Sequence, residues 1–276
     1  MHGHYSEGRL WVERGLSSGD SVSPRVRAQA LNTSGYLAWM QGDYGRAKSD
    51  LEGSLDLKRE LGDAADTAST LNNLGLVALD LEENERAGEL LRESLVLRRW
   101  VGDAMGVALS LNNLGYAALL GGECESARTH AEESLRLFRE LGNSWGVTLA
   151  LTNLGRALLE LGDGDRALAM LGESLSLSEE LGERRNIAEC LEGLAAISAA
   201  SGALDVAAQT YGAAGMLRET IGSPLSPAER SHHGRRLNDL RAQMGSERLE
   251  AAMAEGRAMG LNAAMGVATG ALPRRE

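Results

Sequence analysis

The sequence predicts an all-α fold, a solenoid of paired helices that is completed by a helical cap at its C-terminal end. A Leu-Asn-Asn-Leu-Gly motif and its variants recur every 40 residues, starting at 71, 111 and 151. Between the motifs, apolar residues lie three or four positions apart, as they do on one face of a helix. Glycine supplies 34 of the 276 residues and proline only 4, so the glycines punctuate something regular.

Several markers repeat in the same register, which makes chance similarity an inadequate explanation. The motif Leu71–Gly75 returns unchanged as Leu111–Gly115 and with one substitution as Leu151–Gly155, and weaker copies begin at Leu31 and Leu191. An alanine occupies one position in every unit: Ala47, Ala87, Ala127, Ala167 and Ala207. An apolar residue followed by glycine closes the units: Leu61-Gly62, Val101-Gly102, Leu141-Gly142, Leu181-Gly182 and Ile221-Gly222.

The pattern predicts two helices in each repeat. In the second repeat, Asp63 is a good N-cap for a first helix that extends to about Leu81, because its side chain can accept from free backbone N–H groups. A short polar turn leads to a second helix, which Gly102 ends at a position where glycine adopts left-handed geometry without steric cost. Gly75 lies inside the first helix, where it costs about 1 kcal/mol relative to alanine. Its recurrence indicates that the paired helices approach closely.

The repeat register divides the chain into three parts. Residues 1–22 are predicted to hold the second helix of an incomplete repeat, residues 23–222 five repeats, and residues 223–276 a helical cap and tail. Ser223–Pro227 interrupts the array, and Pro227 suits the first turn of a new helix. The unpaired N-terminal helix would expose Leu10 and Leu16, so we expect either a longer parent chain or self-association through this helix.

The repeats resemble the tetratricopeptide repeat (TPR). Leu71, Leu74, Gly75 and Ala78 match its first-helix signature, and the alanine series matches the second helix. The usual repeat has about 34 residues, so this chain is similar to the longer variety found in kinesin light chains and bacterial regulators. The resemblance implies a right-handed α-α superhelix.

The C-terminal part resembles the end of the TPR sensor region of bacterial STAND-type ATPase regulators, including LuxR-type activators. The similarity rests on stretches such as Ala207–Ala214, Arg218–Gly222 and Ala254–Met259. The Gly-x-x-x-x-Gly-Lys-Ser/Thr phosphate-binding motif does not occur in the sequence. The resemblance therefore implies a sensor or regulatory arm, and a missing NTPase domain is one of the partners that it suggests.

Composition disfavours several classes of function. The net charge of −11 makes direct binding to nucleic acid or to an anionic membrane unfavourable. Two cysteines, Cys124 and Cys190, cannot form a disulfide framework and fit a reducing compartment, so we expect a cytoplasmic location. The sequence holds no apolar stretch of the ~20 residues that a membrane span requires, and no signal peptide is visible.

We expect no catalytic centre, metal or cofactor. His232 and His233 are adjacent and point about 100° apart on a helix, whereas a metal site prefers histidines four positions apart. The two cysteines occupy different repeat positions, and the recurring Ser94, Ser134 and Ser174 have no paired base. Neither nucleophile chemistry nor a paired-carboxylate mechanism is indicated.

The predicted binding surface is the concave groove that first helices line in TPR proteins. By resemblance, two rows of asparagines face it, and the amides can donate to and accept from the backbone of an extended peptide. Nearby aromatic and basic side chains could provide pockets and one charge. The predicted partner-binding residues are Asn32, Asn72, Asn73, Asn112, Asn113, Asn153, Tyr36, Trp39, Tyr116 and Arg156.

These residues leave alternatives open. The asparagines could instead hydrogen-bond adjacent helices and stabilise the stack, since buried polar groups usually find protein partners. The favoured function is a non-catalytic protein- or peptide-binding module. Its alternatives are a small-ligand sensor, with the effector held where the array meets helices 227–259, and a stand-alone scaffold.

Overall fold

The computed structural model describes residues 22–270, and the regular secondary structure in that range is entirely helical. The predicted all-α class is confirmed, and the fold is that of TPR-type solenoids. The helices are α1 (Pro24–Met40), α2 (Tyr44–Glu60), α3 (Ala64–Asp80), α4 (Asn84–Val101), α5 (Ala104–Leu120), α6 (Cys124–Glu140), α7 (Ser144–Glu160), α8 (Gly164–Leu181), α9 (Arg184–Ala200), α10 (Leu204–Ile221), α11 (Pro227–Met244), α12 (Ser246–Ala258) and α13 (Leu261–Gly270). The predicted N-terminal helix lies outside the described residues.

The described chain forms two compact units. Unit 1 covers residues 22–117 and 226–228, and unit 2 covers residues 118–225 and 229–270. Odd-numbered helices from α1 to α9 are the first helices of their repeats, and even-numbered helices from α2 to α10 are the second helices. None of the helices in the described range is long and apolar enough to cross a membrane.

The two helices of a repeat approach closely at the glycine of the repeated motif. A Cβ atom on Gly75 would lie 2.8 Å from Cγ of Leu91, and one on Gly155 would lie 2.7 Å from Cγ of Leu171. Real Cβ atoms do not make such short contacts, so these positions favour glycine. Ser94 Oγ stabilises the same hairpin by donating to the carbonyl oxygen of Ala68 over 2.8 Å.

Successive repeats are connected by a side chain near the end of each second helix. Lys58 Nζ donates to Thr70 Oγ1 at 2.8 Å, and Arg98 Nη1 donates to the carbonyl oxygen of Gly106 at 2.5 Å. Phe138 stands at the same repeat position in unit 2 and is fully buried. Each of these side chains holds the first turns of the following helix against the preceding repeat.

The C-terminal helices pack on the last repeat of unit 2. Leu240 of α11 and Leu249 of α12 are buried in a cluster with Tyr211 of α10. Two glycines allow the backbones of α10 and α12 to make direct contact. A Cβ atom on Gly212 would lie 2.1 Å from the Met253 carbonyl oxygen, and a Cβ atom on Gly256 would lie 1.8 Å from the Gln209 carbonyl oxygen. Ion pairs at each end of the contact join Arg248 to Asp205 and Arg257 to Glu219.

Candidate functional site

The first helices of unit 1 bring most of the predicted partner-binding residues onto one surface, which we call the amide face. Its members are Asn32, Tyr36 and Trp39 of α1, Asn72 and Asn73 of α3, and Asn112, Asn113 and Tyr116 of α5. The repeat register places the asparagines one turn before the glycine that contacts the second helix. They therefore lie beside the helix–helix contact, near the equivalent positions of the adjacent first helix.

Several amides of this face bond to neighbouring helices. Asn113 Nδ2 donates to Asn72 Oδ1 over 3.0 Å, which joins α5 to α3. Thr70 Oγ1 donates to Asn32 Oδ1, also over 3.0 Å, which joins α3 to α1. Asn72 and Asn112 are only 7% and 6% exposed. These amides thus stabilise the stack, as the structural alternative proposed.

Asn73 differs from its neighbours. It is half-buried, and its side chain makes no hydrogen bond to any other residue in the described range 22–270. Asn113 is likewise half-buried and uses its Nδ2 atom on Asn72. Asn113 Oδ1 also accepts from Asn112 Nδ2 over 3.4 Å. Asn73, and to a lesser degree Asn113, is therefore better placed to contact a partner than the buried Asn72 and Asn112.

Two aromatic side chains stand beside these amides. The Tyr36 and Trp39 rings pack edge to face with their centroids 5.7 Å apart, and Tyr36 is 40% exposed. Trp39 Nε1 donates to Asp80 Oδ2 over 2.6 Å, so a buried carboxylate fixes the indole. Tyr116 of α5 is half-buried. The face presents aromatic rings next to neutral hydrogen-bonding groups.

Asp80 was not among the predicted site residues. Its position falls outside the repeated motif, and the same position in other repeats holds Met40, Leu120 and Glu160. The sequence offered one indication of its role: Asp80 is a carboxylate at the end of an otherwise apolar helix segment. Only the tertiary structure shows that it faces the Trp39 indole of the preceding repeat.

The remaining two predicted residues, Asn153 and Arg156, lie in unit 2, where the corresponding surface is charged. Asn153 is 7% exposed. Arg156 Nη2 lies 3.3 Å from Glu192 Oε2 of the next first helix. Glu192 occupies the repeat position that is asparagine in Asn32, Asn72 and Asn112. A carboxylate therefore replaces the amide row at this end of the array.

Glu192 is held mainly by Arg218 of α10. Arg218 Nε donates to Glu192 Oε1 over 2.6 Å and Nη2 donates to Oε2 over 3.1 Å, which is a bidentate pair. The side chains are 4% and 10% exposed. Burial alone would lower the pKa of Arg218, but the charge and hydrogen bonds of Glu192 outweigh burial and raise it above its ordinary value.

The neighbouring carboxylate, Glu189, belongs to the same network. Burial acts to raise its pKa, but Arg185, Arg156 and Arg218 together hold the pKa below its ordinary value. We call Arg156, Arg185, Glu189, Glu192 and Arg218 the ionic cluster. Its three arginines exceed its two glutamates by one, and Glu229 Oε1, which lies 3.8 Å from Arg218 Nη2, supplies the third carboxylate. With Glu229 included, the charges of the cluster balance.

Side chains of α11 extend this polar surface. Arg236 contacts Glu160 of α7, and His232 Nε2 lies 3.7 Å from the same carboxylate. The rings of His233 and Tyr211 pack edge to face with centroids 5.1 Å apart. Burial is the main cause that lowers the pKa of both histidines, with nearby arginines adding to it, and burial raises the pKa of Tyr211 to about 12.

The cysteines occupy unrelated environments. Cys190 is fully buried in α9, and burial raises the pKa of its thiol to about 11, which disfavours the reactive thiolate. Cys124 lies at the start of α6, and burial also raises its thiol pKa. Within residues 22–270, no group of three or more His, Cys, Asp or Glu side chains is arranged to hold a metal ion.

The helix pairs, their small-residue contacts and the stacked first helices define a helical-repeat protein. Models of the tetratricopeptide repeat match residues 26–99, 66–140 and 147–181, which together span more than half of the chain. The chain therefore belongs to the tetratricopeptide repeat family. No curated protein matches the sequence significantly.

Several solved structures share this fold. BtubC (BKLC) from P. vanneervenii is 20% identical, with a TM-score of 0.59 over 81% of this chain and 92% of that chain. The Rap conjugation gene regulator of plasmid pLS20, solved with the Phr* peptide, is 14% identical, with a TM-score of 0.59 over 89% of this chain and 73% of that chain. A STAND ATPase with a TPR sensor from Pyrococcus horikoshii is 13% identical, with a TM-score of 0.61 over 89% of this chain but only 37% of the ATPase.

Proposed function

We propose that this protein is a non-catalytic module that binds an extended peptide or protein segment on the amide face of unit 1. The observation that carries the proposal is the half-buried Asn73, whose side chain makes no hydrogen bond to another described residue, together with the half-buried Asn113 and the exposed Tyr36 ring on the neighbouring first helices. Asparagine amides can donate to and accept from a peptide backbone, so they bind without requiring a particular side-chain sequence.

The chemistry of this surface favours a neutral or apolar segment. The Trp39 indole is already bonded to Asp80, so it offers a ring face and its Nε1 atom is occupied. The exposed part of the Tyr36 ring can pack against an apolar side chain. A segment rich in carboxylates would gain little here, because none of the residues of the amide face carries a positive charge.

The relatives are consistent with this proposal. The Rap regulator shares the fold and was solved with a peptide. The STAND ATPase has a TPR sensor as one part of a longer chain. We therefore propose that this protein acts as a sensor or regulatory arm in bacterial signal transduction and transcription regulation, with its own or a separate NTPase domain among the candidate partners.

The proposal is tested by selecting ligands from a displayed library of random, unstructured 12-residue peptides and measuring affinities of the selected peptides. Asn73→Ala and Tyr36→Ala should each weaken binding by about tenfold, the effect of losing about 1.4 kcal/mol. The Asn73→Ala variant should retain the parent Tm, because the Asn73 side chain makes no hydrogen bond to another residue in the described range.

Two matched variants sharpen the test. Asn84→Ala removes an exposed asparagine at the start of α4 and should leave affinity unchanged. Asn72→Ala removes the acceptor of Asn113 and should lower the Tm. Selected peptides that bind the Asn73→Ala variant and the parent equally would refute the assignment of this face.

A further inference from the structure

The second helix of the second repeat, α4, carries an apolar stripe on its outer side. Val96 and Trp100 lie four residues apart on one helix face and are 65% and 77% exposed. Val101, the next residue, is 37% exposed. Exposed apolar patches commonly mark interaction sites. The exposed indole of Trp100 beside Val96 therefore indicates a contact surface.

Repeat packing does not require this stripe. Arg92, Val96 and Trp100 occupy positions that are charged or small in three other second helices: Glu52, Asp56 and Glu60 in α2; Glu132, Arg136 and Glu140 in α6; Gly172, Ser176 and Glu180 in α8. In the last second helix, α10, which packs against α12, these positions are Gly212, Met216 and Thr220. All of these second helices form the same kind of hairpin with their first helices. The apolar side chains of α4 therefore serve a purpose that is specific to this repeat.

The last second helix shows that this side can receive another helix. On α10, the residues that contact α12 are Asp205, Gln209, Gly212 and Glu219. Three repeats earlier, the same positions are Glu85, Glu89, Arg92 and Arg99 of α4. The outer stripe of α4 is thus the equivalent of a surface that is a helix-packing surface in unit 2.

The stripe is complementary to a second copy of itself. If two α4 helices lie antiparallel about a two-fold axis at Val96, Val96 meets Val96, Arg92 meets Trp100, and Glu93 meets Arg99. These contacts are an apolar centre, two cation–π pairs and two ion pairs. Around the axis at the equivalent position of α2, Glu52 would instead meet Glu60, and in α6 Glu132 would meet Glu140. Both are repulsive.

The least favourable contact in such a pair is at its ends, where Glu89 would face Asp103. Each carboxylate is already compensated in its own chain. Glu89 pairs with Arg86 at 3.1 Å, and Asp103 Oδ1 accepts from the Gly106 backbone N–H at 2.8 Å. Repulsion between the two is therefore reduced.

We propose that the protein forms a two-fold symmetric dimer in which α4 packs antiparallel against α4 of a second copy. Trp100, one turn from the axis, is expected to contribute most to the binding energy of this interface, because tryptophan and arginine are enriched among the residues that dominate interface energies. The proposal concerns a different surface from the amide face, so either one can fail without the other.

The first experiment measures the dimer dissociation constant of the full chain by sedimentation velocity over a concentration series. Trp100→Ala should raise the constant at least about tenfold, as expected for a residue that contributes most to the binding energy. Trp145→Ala, which removes a 44% exposed tryptophan in unit 2, is the matched control and should not change it. A protein that stays monomeric throughout, a dimer that Trp100→Ala does not weaken, or an open-ended assembly would overturn the proposal.

A charge exchange tests the antiparallel register. Glu93→Arg and Arg99→Glu should each weaken the dimer, and the double variant should restore it, because the two positions face one another across the axis. Glu93 also pairs with Arg59 within its own chain, but both side chains are about half exposed, so folding should be little affected. A double variant as weak as either single variant would refute this register.

Cross-linking tests the axis directly. In a Cys124→Ser background, Val96→Cys should form an intermolecular disulfide on mild oxidation, since the two-fold axis brings both copies of position 96 together. Arg136→Cys, at the equivalent position of α6, should not cross-link. Equal cross-linking of the two variants would show random collision and would contradict the proposed axis.

Discussion

Units 1 and 2 are built from the same repeat, but unit 1 leaves open the surfaces that unit 2 covers with its own chain. Asn73 of unit 1 is half-buried and makes no side-chain hydrogen bond within the described residues, whereas Glu192 of unit 2 is paired with Arg218 and Arg156. On the second helices, the outer side of α4 exposes Trp100, whereas the outer side of α10 packs against α12 at Gly212 and carries the small polar Thr220 at the position of Trp100. One backbone plan can therefore supply either a binding surface or a structural contact, depending on which side chains occupy the register.

The largest effect is expected from breaking the ionic cluster. Arg218→Met leaves the nearly buried Glu192 without its bidentate partner, and removing one member of a buried pair costs about 3 kcal/mol or more of unfolding free energy. The double variant Glu192→Met, Arg218→Met should lose less, because both members of the bidentate pair are replaced and Glu192 is no longer a buried charge without its main partner. Chemical denaturation followed by circular dichroism measures both.

The matched control for that experiment is an exposed ion pair. Arg139 and Glu173 lie 2.7 Å apart, but their side chains are 51% and 40% exposed. Arg139→Met should change the free energy of unfolding by less than about 1 kcal/mol. If Arg218→Met were no more destabilising than this, the closed surface of unit 2 would owe little to the ionic cluster.

A smaller effect is expected from separating α12 from α10. Gly256→Ala places a Cβ atom against the Gln209 carbonyl oxygen, and such overpacking costs roughly 1–3 kcal/mol. Limited proteolysis should then cleave the C-terminal helices earlier than in the parent protein. Gly266→Ala, at an open position of α13, is the control and should leave the cleavage pattern unchanged.

The smallest effect is expected from acidification. The pKa values of His232 and His233 lie below their ordinary value in the folded chain, mainly through burial. The unfolded chain therefore binds more protons as pH falls below about 6.5, and stability falls with it. The groups facing these histidines are Glu160, Glu192, Arg156, Arg218, Arg235 and Arg236.

The measurement is the Tm between pH 7.5 and pH 5.5, where we expect a decrease of a few degrees. In a His232→Gln, His233→Gln variant, the decrease should be smaller, because neither glutamine titrates. Glu189 of the ionic cluster titrates lower, since its three neighbouring arginines depress its pKa. An identical pH profile in the two proteins would assign the decrease to other groups.

Much of the fold could be predicted because it depends on local patterns. The Asp63 N-cap, the left-handed Gly102 and the spacing of Leu71 and Leu74 are each readable within one repeat. The structure places a cap bond from Asp66 N–H to Asp63 and a φ of 75° at Gly102, as these patterns indicate. Local chemistry also accounts for Gly75, whose missing Cβ makes room for Leu91.

The candidate site was less accessible to sequence reasoning. The asparagine rows were visible, but the sequence could not distinguish Asn72, which accepts from Asn113, from Asn73, which bonds to no other residue within the described range. The Trp39–Asp80 bond joins residues one repeat apart whose types do not recur. Such contacts depend on the offset between adjacent helices, which no single repeat specifies.

The sequence by itself determined the helical class, the 40-residue period and the residues that end or pair the helices, because these follow from backbone preferences and short-range packing. Only the tertiary structure decided which of the recurring side chains make contacts between repeats and which remain exposed. Asn72 and Asn73 are adjacent in sequence, but only Asn72 bonds to a neighbouring helix. Gly212 and Arg92 occupy the same repeat position, but only Gly212 packs against another helix of its own chain. The physical reason is that burial and hydrogen bonding depend on the neighbouring helix as much as on the residue itself.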